Sequence, residues 1–208
     1  MADDQTFRLI IALGMAAFLP VAVYHRVRSQ ASRETLDRRQ EGLFILLTLR
    51  PLGLATMGGV VAFVLDPAWM AWASAPLPAA LRWAGAAVGV PTVALGVWTF
   101  RSIGRNITDT VVTRREHTLV THGPYRFVRH PFYVTTGLAL VANSLTTANW
   151  FIALTGAAAL ALMVVRTTTE EAKLVERFGD DYRRYMARTG RFFPRLRSAP
   201  GADQESAP

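Results

Sequence analysis

Arg129-His130-Pro131-Phe132-Tyr133 runs directly into apolar sequence, and some forty residues later Arg166 is followed by Glu170 and Glu171. Arginine and histidine at the mouth of a membrane segment are expensive unless something anionic or polar meets them. Arg166 and Glu170 stand at i and i+4, so on a continuous helix they share a face, while Glu171 is expected to point elsewhere. Each feature alone has a plain explanation. Arg166 and Glu170 could form an interfacial salt bridge worth ~0.3–0.5 kcal/mol, and Arg129 could snorkel to headgroups. His130 could cap a helix, and Tyr125, Phe127, Phe132 and Tyr133 could belong to an aromatic belt. A belt, however, does not require Arg-His-Pro-x-Tyr to be followed by Arg-x-x-x-Glu-Glu-x-x-Leu. If the chain brings the two clusters together, they frame a polar pocket roofed by apolar helices.

The elements that must do so are legible in the hydrophobic pattern. The 208 residues are 51% hydrophobic and the mean hydropathy is positive. The apolar residues fall into four nearly uncharged blocks at 7–24, 43–65, 79–100 and 131–165, each long enough for a bilayer. The first block follows Asp3 and Asp4, lacks a basic leader and ends in Tyr24-His25-Arg26 without a small-residue cleavage site, so it reads as a helix and not as a secretory signal. The last block is too long for one ordinary span. Asn143, Ser144, Thr146, Thr147 and Asn149 cluster in its middle, which predicts a tight helical hairpin with helices from about 131 to 145 and from about 148 to 165. Pro131 suits the first turn of its helix, with His130 at the entry; Pro51 and Pro91 fall within spans and are expected to kink them. Gly85 and Gly89 form a small-xxx-small pattern suited to helix packing. Beyond Val165, apolar Leu174, Val175, Phe178, Tyr182 and Tyr185 alternate with arginines as in an amphipathic surface helix, with Gly179 as a possible interruption.

The predicted fold is therefore an all-α integral membrane protein of five transmembrane helices, the last two a tight hairpin, with a C-terminal cytoplasmic amphipathic helix. Residues 1–100 form an N-terminal three-helix part, 101–197 a part that holds both polar clusters with the fourth and fifth helices, and 198–208 a disordered tail. The charge is +8, and twenty of the 23 basic residues lie in 26–39, in 101–129 or from Arg166 onward. The turn 66–78 carries none. Five helices place all three basic segments on one side, as the positive-inside rule requires, with the N-terminus outside and the C-terminus cytoplasmic. Located in this way, the charge speaks for orientation and against a nucleic-acid partner. The absence of cysteine excludes disulfides, thiolate metal sites and cysteine nucleophiles, and no metal-ligand set is read. The sequon Asn106-Ile107-Thr108 lies on the expected cytoplasmic side, where it would not be glycosylated. Arg50, in or beside the second span, is read first as snorkelling.

His122-Gly123-Pro124-Tyr125, Arg129-His130-Pro131-Phe132-Tyr133, Glu170-Glu171-Ala172-Lys173-Leu174, Arg177-Phe178-Gly179-Asp180-Asp181-Tyr182 and Arg191-Phe192-Phe193-Pro194 resemble the integral membrane methyltransferases typified by isoprenylcysteine carboxyl methyltransferase and its phospholipid-methylating relatives. The resemblance covers about 101–194. It implies S-adenosyl-L-methionine bound at the cytoplasmic ends of the last helices and a lipophilic acceptor arriving through the bilayer. It places cofactor contacts on His117, Thr118, Leu119, Val120, Tyr125, His130, Pro131, Phe132, Tyr133 and Glu170, and the substrate-orienting arginine on Arg166, with Arg166 and Glu170 as the catalytic pair. One departure is Thr110, near which the eukaryotic enzyme carries a glutamine.

Methyl transfer from a sulfonium is an in-line displacement that demands chiefly proximity and alignment. Tyr125, Phe132 and Tyr133 could meet the adenine or the cation, a contact worth ~0.5–2 kcal/mol when desolvated. Glu170 could accept from the ammonium or ribose hydroxyls, and the start of the fourth helix could offer backbone donors to a carboxylate. A carboxylate acceptor, held by Arg166, needs no base, whereas an amine acceptor needs one, with Glu171 or His130 as candidates; the spacing does not choose. The excess of arginine over lysine, 22 to one, points to a prokaryotic plasma membrane and so to a small isoprenoid, fatty or phospholipid acceptor. Two other readings compete: a nicotinamide-dependent membrane reductase of the sterol-reductase type, and a non-catalytic lipid-binding protein.

Overall fold

A computed structural model describes residues 2–30, 43–104 and 118–195. His117, Thr110, the sequon and the tail 198–208 lie outside the described residues. Six helices make up the described chain: α1 (Ala2–Gln30), α2 (Leu43–Leu65), α3 (Ala79–Ile103), α4 (Pro131–Thr147), α5 (Trp150–Phe178) and α6 (Asp180–Arg188). Short 3-10 turns occupy Pro67–Ala73 and Gly123–Arg126, and the described residues contain no strand beyond isolated bridges.

Four of these helices, α1, α2, α3 and α5, are long and apolar enough to cross a membrane. The flanks they leave open suit lipid: Leu54 is 74% exposed, Val90 72% and Leu13 69%, which water would penalise and hydrocarbon does not. The fold is thus that of a multi-pass membrane protein. The sequence predicts a fifth crossing at α4, whose 17 residues rise only about 25 Å against a hydrocarbon core of ~30 Å.

The α4–α5 hairpin is tight. Ala148 takes the left-handed conformation (φ 48°) that ends α4. Asn149 then caps α5 by accepting from the Ile152 N–H at 3.1 Å and donates to the Met70 carbonyl at 3.1 Å. The polar cluster that marked the turn in the sequence is therefore its fastening. Both helices reach past the expected ends. Thr146 and Thr147 return their hydroxyls to the carbonyls of Ala142 and Asn143, each at 2.7 Å, so they need no water and α4 continues through them. At the other end nothing breaks α5 at Val165, and it runs to Gly179 (φ 53°). The expected surface helix is consequently divided: its first half is the end of α5, and its second half is the separate α6, which buries Tyr182 and Tyr185 and exposes Arg183 and Arg184.

Packing fixes which helix ends meet. α3 lies along α4, and α2 along α5. Gly85 allows the first of these contacts: a Cβ there would stand 2.7 Å from Leu145 Cβ and 2.8 Å from the Thr146 nitrogen. Gly89 faces Ala142 one turn on, so the small-residue pattern does serve packing within the chain. Arg82 at the start of α3 pairs with Asp4 of α1 at 2.8 Å, donates to the Thr146 carbonyl at 3.0 Å and stacks over Phe7. Arg8 donates to the Val64 carbonyl. The N-terminus of α1, the α2–α3 connection and the hairpin turn thus share one end, lined by exposed Trp69, Trp72, Trp83 and Trp150. The entry to α4 and the exit of α5 share the opposite end.

Candidate active site

At that opposite end the two clusters meet. Pro131 opens α4, and His130 stands at its cap, buried. Tyr133, one turn in, donates its hydroxyl to Glu170 Oε1 at 2.7 Å. Arg166 Nη2 reaches the same oxygen at 2.8 Å. Glu170 Oε2 lies 3.7 Å from His130 Nδ1. The i, i+4 pair expected from spacing is therefore present, and a residue of the facing helix completes it.

Glu171 departs further from expectation. It does leave the face of Arg166 and Glu170, but it turns inward: it is 4% exposed and takes Arg129 Nε at 2.8 Å, His130 Nε2 at 3.2 Å and Arg191 Nη2. Arg129 also donates from Nη1 to the carbonyls of Met186 and Thr189. It is thus sequestered beneath α6 and does not snorkel. A buried carboxylate among cations is costly to dismantle, because removing one partner strands the others. His130 lies between the two carboxylates and couples the layers.

A strap formed by residues 189–194 covers this arrangement. It runs parallel to 128–130, with the Arg129 N–H donating to the Gly190 carbonyl at 2.8 Å and the His130 N–H to the Arg191 carbonyl at 3.1 Å. Gly190 is required by the bend that follows, since a Cβ there would collide with the Phe193 carbonyl. Phe192 packs its ring 5.8 Å from His130 and 6.3 Å from Tyr133.

Tyr125 lies buried under α6, its carbonyl accepting from the Tyr185 hydroxyl at 2.6 Å. Burial pushes the phenols of Tyr125, Tyr182 and Tyr185 above the ordinary tyrosine range, with like charge at Glu171 adding to the effect for Tyr182. All three remain neutral near pH 7. Phe132 is exposed and packs its ring against Phe100 of α3 at 5.8 Å and Tyr133 at 6.3 Å. Pro131 is fully buried. Thr118, Leu119 and Val120 lie in the irregular stretch before Gly123–Arg126, with Thr118 exposed and the other two half-buried. The backbone donors expected at the start of α4 are partly spent, since the Tyr133 and Val134 N–H groups both turn back to the His130 carbonyl.

Arg129, Arg191 and Phe192 had been given no site role from sequence, although all three lie in the quoted motifs, and Glu171 had been named only as a candidate base. Their signal was a surplus: two arginines near an apolar segment, with a second glutamate that the i, i+4 pair left over. The arrangement can hold a cationic or hydroxyl-bearing ligand on Glu170 Oε2, which stands 3.7 Å from His130 Nδ1, beyond hydrogen-bond distance. It also presents the rings of His130, Tyr133 and Phe192 to a planar or cationic group.

Comparison with known proteins points the same way as the motifs. Residues 86–176 match the model of the isoprenylcysteine carboxyl methyltransferase (ICMT) family. The cobalt-zinc-cadmium resistance protein CzcN of Cupriavidus metallidurans is 31% identical over 118 residues, 55% of each chain. The protein-S-isoprenylcysteine O-methyltransferase of Schizosaccharomyces pombe is 36% identical over 85 residues, 39% of this chain and 36% of its own. The methanethiol S-methyltransferase of Pseudomonas deceptionensis is 37% identical over 79 residues, 38% of this chain and 29% of its own. The chain spans about half the length of the first of these relatives and less of the others.

Proposed function

On the premise that residues 86–176 carry the pattern of the isoprenylcysteine carboxyl methyltransferase family, we propose that the protein is a membrane methyltransferase that transfers a methyl group from S-adenosyl-L-methionine to a lipophilic acceptor at the cytoplasmic face. The observation that carries this reading is the union of Tyr133, His130, Arg166 and Glu170 at the open end of the α4–α5 hairpin. Glu170 suits the donor's ammonium or ribose hydroxyls through its loosely engaged Oε2. The neighbouring rings suit its adenine and its sulfonium. When bound, the donor supplies an electrophilic methyl group.

The chain's own residues then have positioning to do. Arg166 and Tyr133 hold Glu170 in one orientation, and Glu171 fixes His130 from behind. Arg166, already paired with Glu170, presents its positive charge to an acceptor carboxylate, whose oxygen is nucleophilic without a base. A thiol or amine acceptor would have to lose a proton. Glu171 is poorly suited to take it, because both of its oxygens are engaged by Arg129, Arg191 and His130. His130 is then the candidate base. The names of the relatives include both a carboxyl O-methyltransferase and a thiol S-methyltransferase, and the proposal is framed for an acidic acceptor of either kind.

Five crossings, with α1 beginning outside and α6 lying on the cytoplasmic surface, belong to this reading, as does location in the plasma membrane. The catalytic part is 101–197, with α1–α3 as its membrane frame. Calorimetric titration of the purified protein with S-adenosylhomocysteine and with NADPH tests the cofactor class. Binding of S-adenosylhomocysteine alone is expected; binding of NADPH alone would replace the proposal with a reductase. Glu170→Gln should weaken S-adenosylhomocysteine by roughly 10- to 100-fold, the worth of a charge-assisted hydrogen bond, while the protein stays folded.

A further inference from the structure

At the end of the bundle that holds the carboxylates, Phe193 is 83% exposed, the most of any large hydrophobic residue described. A single exposed phenylalanine is ordinary; its surroundings are not. Its neighbours in the strap, Phe192 and Pro194, line a hollow shared with Phe127 and with Leu95 and Trp98 of α3. Leu95 and Trp98 lie eight and five residues before the end of α3 at Ile103, about 12 and 8 Å below it at 1.5 Å per residue. Because α3 is long and apolar enough to span a membrane, the strap carries Phe193 along its flank at the depth where hydrocarbon gives way to headgroups.

Cations flank this side chain. Arg126, beside Phe127 in the chain, lies over that ring at 4.4 Å. Arg195 follows Pro194 and donates to the Ala187 carbonyl, which sets it beside Arg188 at the end of α6. All three arginines are exposed, and among the described residues no carboxylate pairs with them. The acids of α6, Asp180 and Asp181, stand at its other end and are taken by Arg183 and Arg184. We propose that Phe193, Arg126, Arg188 and Arg195 form a docking surface for anionic phospholipids of the adjoining leaflet, and that this contact holds the strap over the carboxylate cluster. The occupant is lipid because Phe193 lies along the flank of a spanning helix, and it is anionic because the three cations there lack a counter-charge. The strap can transmit the contact, since Arg191 is tied to Glu171 and the Arg129 and His130 N–H groups end on the carbonyls of Gly190 and Arg191. Docking involves neither methyl donor nor acceptor, so it stands or falls apart from the methyltransferase reading.

The test uses the full-length protein in nanodiscs of phosphatidylcholine, with and without phosphatidylglycerol. A nitroxide attached at Phe193→Cys, the only cysteine of that variant, is expected to relax more with oxygen than with a water-soluble nickel chelate. A bimane on Ala187→Cys should be quenched about fivefold more by phosphatidylglycerol bearing a nitroxide near its headgroup than by the matching phosphatidylcholine, the factor that one basic residue near an anionic surface supplies. Arg126→Gln, Arg188→Gln and Arg195→Gln together should bring that ratio to about one, and Phe193→Ser should lower quenching by both lipids. Deuterium exchange of the segment holding Arg129 and His130 should slow several-fold when phosphatidylglycerol is present, and Phe193→Ser should abolish the difference. Greater access to nickel than to oxygen would place Phe193 in water, as a site for a soluble partner, and shielding from both would mean that another part of the chain covers it. Either result overturns the proposal, as does equal quenching by the two lipids; exchange that ignores phosphatidylglycerol overturns the hold on the strap.

Discussion

Glu170 and Glu171 are adjacent in the chain, yet their surroundings give them different work. Glu170 keeps one oxygen loosely engaged beside aromatic rings, while Glu171 is enclosed by Arg129, His130 and Arg191. Exchanging each for glutamine should separate the roles. Glu171→Gln strands two guanidinium groups against a neutral amide, and a loss of stability of about 3 kcal/mol is expected, read as a lowered midpoint of thermal unfolding in detergent. Glu170→Gln, at the edge of the cluster, should leave that midpoint nearly unchanged and reduce ligand affinity. If both variants unfolded alike, the division of labour would be wrong. Spacing alone made Arg166–Glu170 legible, because four residues on a helix fix a shared face. It could not assign Glu171, whose partners Arg129 and Arg191 lie 42 and 20 residues away and arrive only when the hairpin closes and the strap folds back.

Among the elements, the hairpin turn brings the site together by fixing α4 against α5. Asn149 both caps α5 and holds the Pro67–Ala73 turn through the Met70 carbonyl. Asn149→Ala removes the cap and leaves that buried carbonyl without its partner, a loss of about 1–2 kcal/mol measurable by thermal unfolding, with Asn149→Asp recovering the cap alone. Gly85→Val addresses the other contact. Its added methyl groups would enter Leu145 and Thr146 of α4, and overpacking of about 1–3 kcal/mol is expected, with hydrogen exchange rising first in α4. The turn was readable because five polar residues in a 35-residue apolar block had nowhere else to go. Its limits were not, because threonine in a helix can satisfy itself on the preceding turn, so polarity marks the end of a span less sharply than the end of its hydrocarbon. The same holds for α5, where the onset of charge at Arg166 marks a change of surroundings and the helix continues to Gly179.

For the whole molecule, the two ends of the bundle differ in chemistry as the sequence charge implied. Exposed tryptophans and the Asp4–Arg82 pair mark one end, and Arg101, Arg126, Arg129 and Arg166 mark the other. By the positive-inside rule that asymmetry supports the proposed orientation, with the arginine end in the cytoplasm, but it leaves α4 open, because 17 residues are marginal for a crossing. What decides α4 is which side its start faces. The lack of native cysteine lets single substitutions report this cleanly through a membrane-impermeant maleimide applied to intact cells and to inverted vesicles. Ser74→Cys, beside Asn149 at the hairpin turn, should label from outside. Thr169→Cys near the exit of α5 should label from inside, as should Thr121→Cys, which precedes α4 and is exposed. Labelling of Thr121→Cys from outside, with Thr169→Cys still inside, would mean that α4 returns without crossing and that Arg129 and Glu171 face different compartments. Their 2.8 Å contact could not then survive in the membrane. Agreement of Thr121→Cys and Thr169→Cys on the inner side places His130 and Glu170 together where a cytoplasmic methyl donor can reach them.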